Sequence, residues 1–307
     1  MKGLKKNVSL AKFTTYKIGG PADYFIGVKN CQELKNALKF ADDNTLPIFI
    51  LAGGSNVLFS DKGYRGMVIK IENCDLKIDG NKIEAGAGIL VNNLVSKTIE
   101  MGLAGLEWAG GLPGTLGGAI RGNAGCFGGE TKDTIKEVIV VTRSGEVKTY
   151  SNADCHFGYR DSIFKHNNEI ILNASLTLEP GVREKLKYEV FDHIKYRAMR
   201  HEVPSCGSVF KNCPVQIIPS DVLTMFKDKI KIDPFEILPV AVLLSAVGLN
   251  GKIIGGAKIS QEHSNIIVNF NNAKLLDILE LIYLAKEKVK NNFNVELEEE
   301  VELVGFE

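Results

Sequence analysis

Three short polar runs in this 307-residue chain hold residue types that plain scaffolding does not need. In Tyr159-Arg160-Asp161-Ser162-Ile163-Phe164-Lys165, aromatic and charged side chains alternate. The run reads either as an exposed loop with surface ion pairs, or as a site where the planar five-donor fork of Arg160 meets a carboxylate or an enolate. In SCGSVFKN, from Ser205 to Asn212, Ser208 sits between Gly207 and an apolar pair. It is an ordinary turn residue or a proton donor, since a hydroxyl held against a strongly basic carbanion or enol needs no unusual acidity to give up its proton. The run VELEEEVELVGF, residues 295–306, sets Val295, Leu297, Glu299, Val301 and Leu303 on one strand parity and Glu296, Glu298, Glu300 and Glu302 on the other. That is a solvated acidic face, unless one carboxylate turns into a cleft near Arg160 and serves as an acid or an electrostatic partner.

Chemistry of that kind needs a surface to hold its reactants, and two glycine segments could supply one. Residues 105–129, GLEWAGGLPGTLGGAIRGNAGCFGG, are dense in glycine but also carry Leu106, Trp108, Leu112, Leu116, Ile120 and Phe127, which a flexible linker would lack. Glycine inside ordered apolar sequence lets main-chain N–H groups approach a large flat or anionic ligand; the alternative is a cluster of structural turns. Upstream, LAGGSNVL (residues 51–58) follows an apolar run that reads as a buried strand. The turn Gly53-Gly54-Ser55-Asn56 suits phosphate, through consecutive N–H groups and the Ser55 and Asn56 side chains. No Gly-Lys-Ser/Thr follows it, no G-x-G-x-x-G opens a helix after a strand, and no G-x-S-x-G is present. A P-loop, a Rossmann domain and a serine hydrolase are therefore disfavoured.

The composition is that of an ordinary soluble protein: 45% hydrophobic, 24% charged and of zero net charge, which argues against nucleic acid or an anionic membrane as partner. The basic start has no apolar core of a secretory signal, and the longest apolar run, residues 237–249, is shorter than the roughly 20 residues needed to span a bilayer. A cytoplasmic protein is expected. Six scattered cysteines and five histidines form no metal-binding spacing, so no metal site is expected, and Cys206 and Cys213 read as free thiols. Periodicity predicts strands at 24–28, 47–51, 67–71, 82–84, 137–142, 147–151, 170–177 and 265–270 and a closing strand at 295–304. Helices are predicted at 31–44, 90–101, 181–200, 239–247 and 273–290. The fold class is α+β.

Taken in order, TTYKIGGPA (residues 14–22), LAGGSNVL, GLPGTLGGAIRGNAG, YRDSIFK, GSVFKN, GGAKISQEHSNIIVN (residues 255–269) and LEEEV (residues 297–301) resemble the UDP-N-acetylenolpyruvoylglucosamine reductase family, flavoenzymes that complete UDP-N-acetylmuramate in peptidoglycan synthesis. The resemblance runs nearly end to end. It implies a two-part FAD-binding domain of the vanillyl-alcohol-oxidase type, residues 1–71 with 301–307 returning to it and residues 72–198, followed by a substrate-binding domain at 199–300. It places non-covalent FAD on Gly53, Gly54, Ser55, Asn56, Val57 and Leu58 and on Gly110, Gly111, Gly114, Thr115, Gly117 and Gly118. Arg160, Ser208 and Glu300 match the catalytic arginine, proton donor and glutamate; Tyr159, Asn212 and His263 match substrate-binding positions. Glu299 and Cys213 stand where the family has proline, residues 215–239 are longer than the pattern, and no tyrosine-bearing insertion is present, as in the shorter subtype.

The resemblance also implies two hydride steps: NADPH reduces FAD, and the reduced cofactor reduces C3 of UDP-N-acetylglucosamine enolpyruvate. Both reactants would use one cleft in turn, which suits an NADPH enzyme without a Rossmann fingerprint. A monomer or weak homo-oligomer is expected. A sugar or hydroxy-acid oxidase on the same scaffold would keep the glycine segments without needing YRDSIFK, GSVFKN and LEEEV together. A module that binds FAD or a UDP-sugar without turnover would not need Arg160, Ser208 and Glu300.

Overall fold

The structure is a computed structural model that describes residues 1–200 and 204–305. Residues 201–203 of the expected substrate domain and 306–307 of the expected returning segment lie outside the described residues. Contacts group the chain into two compact units, each assembled from separated segments: residues 1–8, 22–53 and 65–196 form the first, and 9–21, 54–64 and 197 onward the second.

The first unit contains two large sheets. One has four strands in the order Lys5–Ser9, Pro21–Val28, Tyr64–Ile71, Ile48–Leu51, the last two parallel with Ile50 opposite Ile69. The helix Cys31–Asp43 starts where the Asn30 side chain accepts the Glu33 N–H at 2.9 Å, and it buries Leu34, Ala37, Leu38 and Ala41, one helical face. The other sheet is antiparallel, with Val147–Ser151, Ile135–Val141, Ile170–Thr177, Lys82–Gly86 and Leu76–Asp79 in that order. The helix Val91–Glu100 buries Val91, Leu94, Val95, Thr98 and Ile99. Ile83, Val138, Val140, Trp108 and Ile120 all join a single apolar core.

In the second unit, the long helix Leu275–Phe293 buries eight residues, Leu275 to Phe293, against a core that also takes in Tyr16, Ile18, Leu58 and Val209. A three-stranded sheet, Ile253–Ile254, Ala257–Ile259 and Ile267–Asn269, lies in the same unit. The strand Val57–Phe59 pairs in parallel with Glu302–Val304, Leu58 opposite Leu303. The atypical segment after Asn212 is ordered: Cys213–Pro214 pairs with Glu236–Leu238, which pairs with Lys231–Ile232, and the helix Ser220–Met225 lies between.

Three expectations change. The glycine-rich segment is not all loop, because Leu116–Arg121 forms a short helix with Leu116, Ala119 and Ile120 buried. The closing strand spans only Glu302–Val304. The Glu300 and Val301 N–H groups both point at the Val209 carbonyl, at 2.7 and 3.4 Å. Val301 is buried, as the expected parity has it, but the alternation breaks beyond it, where Val304 is buried and Leu303 is 38% exposed. In the helix Arg183–Arg200, predicted at 181–200 from Leu186, Val190, Ile194 and Met199 at near-helical spacing, only Leu186 is buried, and Ile194 and Met199 face solvent.

Candidate active site

Within the first unit the two glycine segments meet. A Cβ on Gly53 would lie 2.5 Å from Gly114 Cα and 3.1 Å from Thr115 N, so glycine is what allows this approach. Gly117 donates its N–H to Ala87 O at 2.8 Å, and its own missing Cβ would lie 2.8 Å from Ala87 Cβ. A Cβ on Gly118 would sit in ordinary contact with Ala52, at 3.4 Å. Gly110 makes room for Val190 of the helix Arg183–Arg200, and Gly111 donates to Asn92 Oδ1 at 2.9 Å. Where the segments meet, the Thr115 hydroxyl is buried and has no hydrogen-bond partner among the described residues. A buried hydroxyl left unpaired is costly unless a ligand completes it. The close glycine approach and this hydroxyl fit the FAD expected there.

The rest of the GGSN turn belongs to the second unit. Gly54 has φ +67°, and a Cβ there would fall 1.9 Å from Phe13 O, so only glycine serves. Ser55 is half-buried at the turn. Asn56 donates its side-chain N–H to Glu300 O at 2.9 Å and accepts the Glu302 N–H at its own carbonyl, which ties the turn to the acidic terminal segment. Val57 and Leu58 run on into the strand, buried, with Leu58 in the apolar core.

Tyr159 and Arg160 form the tip of a tight turn closed by Gly158 N–H to Asp161 O at 3.0 Å. Arg160 has φ +56°, a left-handed conformation uncommon for a side chain this large. Its guanidinium donates from Nη2 to Gly125 O at 2.7 Å and lies over the Tyr159 ring, 5.0 Å from the centroid, while its carbonyl accepts from Lys165 Nζ. Asp161 pairs with His166 at 3.0 Å. The run is thus a defined turn with its arginine anchored, rather than a loose exposed loop.

In the second unit Ser208 and Glu300 lie on neighbouring backbone segments. Ser208 bridges to Ile266, and the next carbonyl, that of Val209, holds the Glu300 N–H. Asn265 completes the arrangement by taking the Phe210 N–H on Oδ1 at 3.0 Å and donating Nδ2 to Phe210 O at 2.8 Å. The three consecutive glutamates separate by partner. Glu298 is exposed and paired with Lys211, and Glu299 pairs with Lys286 at 2.8 Å. Glu300 is half-buried and close enough to Cys206 to act on its thiol. Burial pushes that thiol up to about 12, the Tyr16 hydroxyl beside it working the other way and the Glu300 charge adding to the rise. Asn212 Oδ1 accepts the Val240 N–H at 3.1 Å, at the start of the helix Val240–Ala246. His263 is held below the ordinary histidine value, by burial first and then by Arg200 and Lys231, so it is neutral near pH 7. Sequence reasoning singled out the Asn56 side chain only for phosphate and missed Asn123 and Asn265, amide side chains that lock the turns; their signal was their place inside the quoted motifs.

Among the described residues no helix is long and apolar enough to cross a membrane. Residues 198–304 match the UDP-N-acetylenolpyruvoylglucosamine reductase C-terminal domain, and residues 22–151 match an FAD binding domain. The UDP-N-acetylenolpyruvoylglucosamine reductase of Lactobacillus delbrueckii subsp. bulgaricus is 38% identical over 99% of this chain and 96% of its own length. That of Alkaliphilus oremlandii is 39% identical over 96% and 91%. The crystal structure of UDP-N-acetylenolpyruvylglucosamine reductase from Thermus caldophilus superposes with a TM-score of 0.79 at 30% identity, covering 98% of this chain and all of that one. The fold is α+β, an FAD-binding domain with the reductase family's own C-terminal domain. By motif order, length and fold alike, the chain belongs to the UDP-N-acetylenolpyruvoylglucosamine reductase family.

Proposed function

We propose that the protein is an FAD-dependent oxidoreductase that reduces UDP-N-acetylglucosamine enolpyruvate to UDP-N-acetylmuramate with NADPH, in peptidoglycan precursor synthesis. When bound, FAD supplies the hydride carrier between the two substrates. Gly53, Gly54, Ser55, Gly114, Thr115, Gly117 and Gly118 are the residues that would hold it, with Asn56, Val57, Leu58, Gly110 and Gly111 framing the two segments. In this reading residues 1–71 and 72–198 make up the two parts of the FAD-binding domain, and 199–300 the substrate-binding domain. The protein works in the cytoplasm as a monomer or weak homo-oligomer, without nucleic acid or membrane insertion.

The remaining chemistry falls to side chains. Addition of hydride at C3 of the enolpyruvyl ether leaves an electron pair at C2, delocalised into the carboxylate as an enol. Arg160 offers that developing charge a fixed cationic fork, and Glu300 serves as its acidic partner. Ser208 gives its proton to C2, which completes the saturated lactyl ether, and recovers a proton from solvent. Tyr159, Asn212 and His263 bind the sugar nucleotide. A neutral His263 suits that task, since it can both donate and accept a hydrogen bond.

The observation that carries this reading is the pairing of Ser208 and Glu300 on adjacent backbone segments, through the Val209 carbonyl, in a chain that also keeps Arg160. The test is an anaerobic visible titration. A yellow protein should bleach with NADPH and regain its colour with the enolpyruvyl sugar. Ser208→Ala should bleach normally yet form no product. Protein that cannot be loaded with FAD, or a bleached flavin reoxidised only by oxygen, would overturn the proposal; equal loss of both half-reactions in Ser208→Ala would overturn the proton-donor role.

A further inference from the structure

Arg160 is held in a conformation that its own sequence does not favour, and the holding groups lie far from it along the chain. Asn123 is fully buried, with φ +40°. Its Nδ2 donates to Gly158 O at 2.9 Å and to Glu130 Oε1 at 3.1 Å, and its Oδ1 accepts the Lys132 N–H at 3.0 Å. Glu130, itself 4% exposed, is charge-paired with Lys132. Two further bonds flank the Asn123 contact: Ser162 Oγ donates to Arg121 O at 2.8 Å, and Arg160 Nη2 donates to Gly125 O at 2.7 Å. Arg121, Asn123 and Gly125, every second residue of one segment, therefore each grip the turn 158–162. The middle grip is the one made by a buried side chain whose donors are both used.

The geometry points to Asn123, fixed by Glu130, as the positioning residue that aims Arg160. It touches no substrate in this account, which rests on Arg160 being the catalytic arginine. The Gly158 carbonyl it holds also accepts the Asp161 N–H at 3.3 Å, the second of the two bonds that close the turn. Cutting the Asn123 bond removes one of the two donors to this half-buried carbonyl and frees the turn to leave the left-handed conformation at Arg160. A displacement of about 1 Å in a catalytic group can cost about 100-fold in rate.

The test is a double-mutant cycle in FAD-loaded protein between Asn123→Gly, which tolerates the positive φ, and Arg160→Lys. Rates are measured separately for flavin bleaching by NADPH and for reoxidation by the enolpyruvyl sugar. Asn123→Gly should slow reoxidation about 10- to 100-fold with bleaching near the parent rate, and the double variant should be no slower than Arg160→Lys alone. A second readout needs no turnover: in the flavin-free protein, the Arg160 guanidinium ¹⁵N resonance, assigned by its loss in Arg160→Lys, should be resolved in the parent and move toward that of free arginine in Asn123→Gly. If Asn123→Gly does not fold, Ser162→Ala, which removes the neighbouring grip, is put through the same cycle with the same expectations. Multiplicative losses, or a guanidinium resonance that does not move, would overturn the positioning role. Parent-like reoxidation in Arg160→Lys would instead overturn the catalytic role of Arg160.

Discussion

Gly53→Ala tests whether the two glycine segments form one cradle. The added Cβ would lie 2.5 Å from Gly114 Cα, about 0.9 Å short of ordinary contact, with Gly114 C and Thr115 N at 3.0 and 3.1 Å. All three are backbone atoms, so no flexible side chain can swing away, and the segments must part. Gly53 is not in the left-handed region, so the substitution carries little backbone strain and its cost is the contact itself. Forced overpacking of this size costs about 1–3 kcal/mol. Where the strain is relieved by moving Gly114 and Thr115, the buried Thr115 hydroxyl loses its position and FAD affinity falls, by at most about 5- to 150-fold for that energy. The assay is flavin fluorescence quenching for the FAD dissociation constant, with the melting temperature of the flavin-free protein alongside. Gly80→Ala is the control: φ is +59° with nothing within 4 Å, so it should lower the melting temperature through strain and leave FAD affinity unchanged. Parent affinity and parent melting temperature in Gly53→Ala would refute the close approach, and a lowered melting temperature with parent affinity would refute its role in the cradle.

Further outcomes follow from the partners already described. Glu300→Gln should lose about 10²–10³-fold in kcat while Glu298→Gln, whose carboxylate is exposed and paired with Lys211, stays near the parent; steady-state rates with the enolpyruvyl sugar decide, and the reverse order would move the role to Glu298. Because His263 is held below its usual value, the unfolded chain takes up a proton before the folded one as pH falls, so its contribution to stability is whole above about 6.5 and declines below. Urea melts of the parent and His263→Gln at about pH 7.5 and 5.5 should show a shallower acid loss in the variant, and equal losses would remove the histidine from the explanation. Burial pushes Cys155 and Cys213 up to about 11 and Cys206 to about 12, whereas Cys74 is exposed. Ellman titration at about pH 8 should therefore find Cys74 in the native protein and these three thiols only after unfolding, and their rapid native reaction would contradict the burial.

Much of the fold was legible because its signals are local. The strands Val147–Ser151 and Ile170–Thr177 start and stop where their patterns do, and the helix Cys31–Asp43 carries its own cap in Asn30. Arg160, Ser208 and Glu300 could be picked out only by motif. What placed them was not legible, because it depends on amide side chains that act across long stretches of chain. Asn123 reaches Gly158, and Asn265 reaches Phe210, 35 and 55 residues away. The placement of Glu300 was hidden for a related reason: its N–H is held by the Val209 carbonyl, and no pattern in VELEEEVELVGF encodes a carbonyl contributed by another segment.

The threading of the chain between its two units bears on how the protein can be made. The second unit needs residues 9–21 and 54–64, produced early, yet its core and its pairing of Val57–Phe59 with Glu302–Val304 are completed only by sequence produced last. On the ribosome, Tyr16, Ile18 and Leu58 wait as exposed apolar groups, and the strand Val57–Phe59 waits as an open edge, until almost the whole chain has emerged. The same threading means that no single cut yields either unit intact: a fragment ending near residue 196 keeps both early segments without the core they belong to, and the complementary fragment lacks them. The apolar groups of residues 9–21 and 54–64 thus have no core of their own until residues from 197 onward are available to complete it.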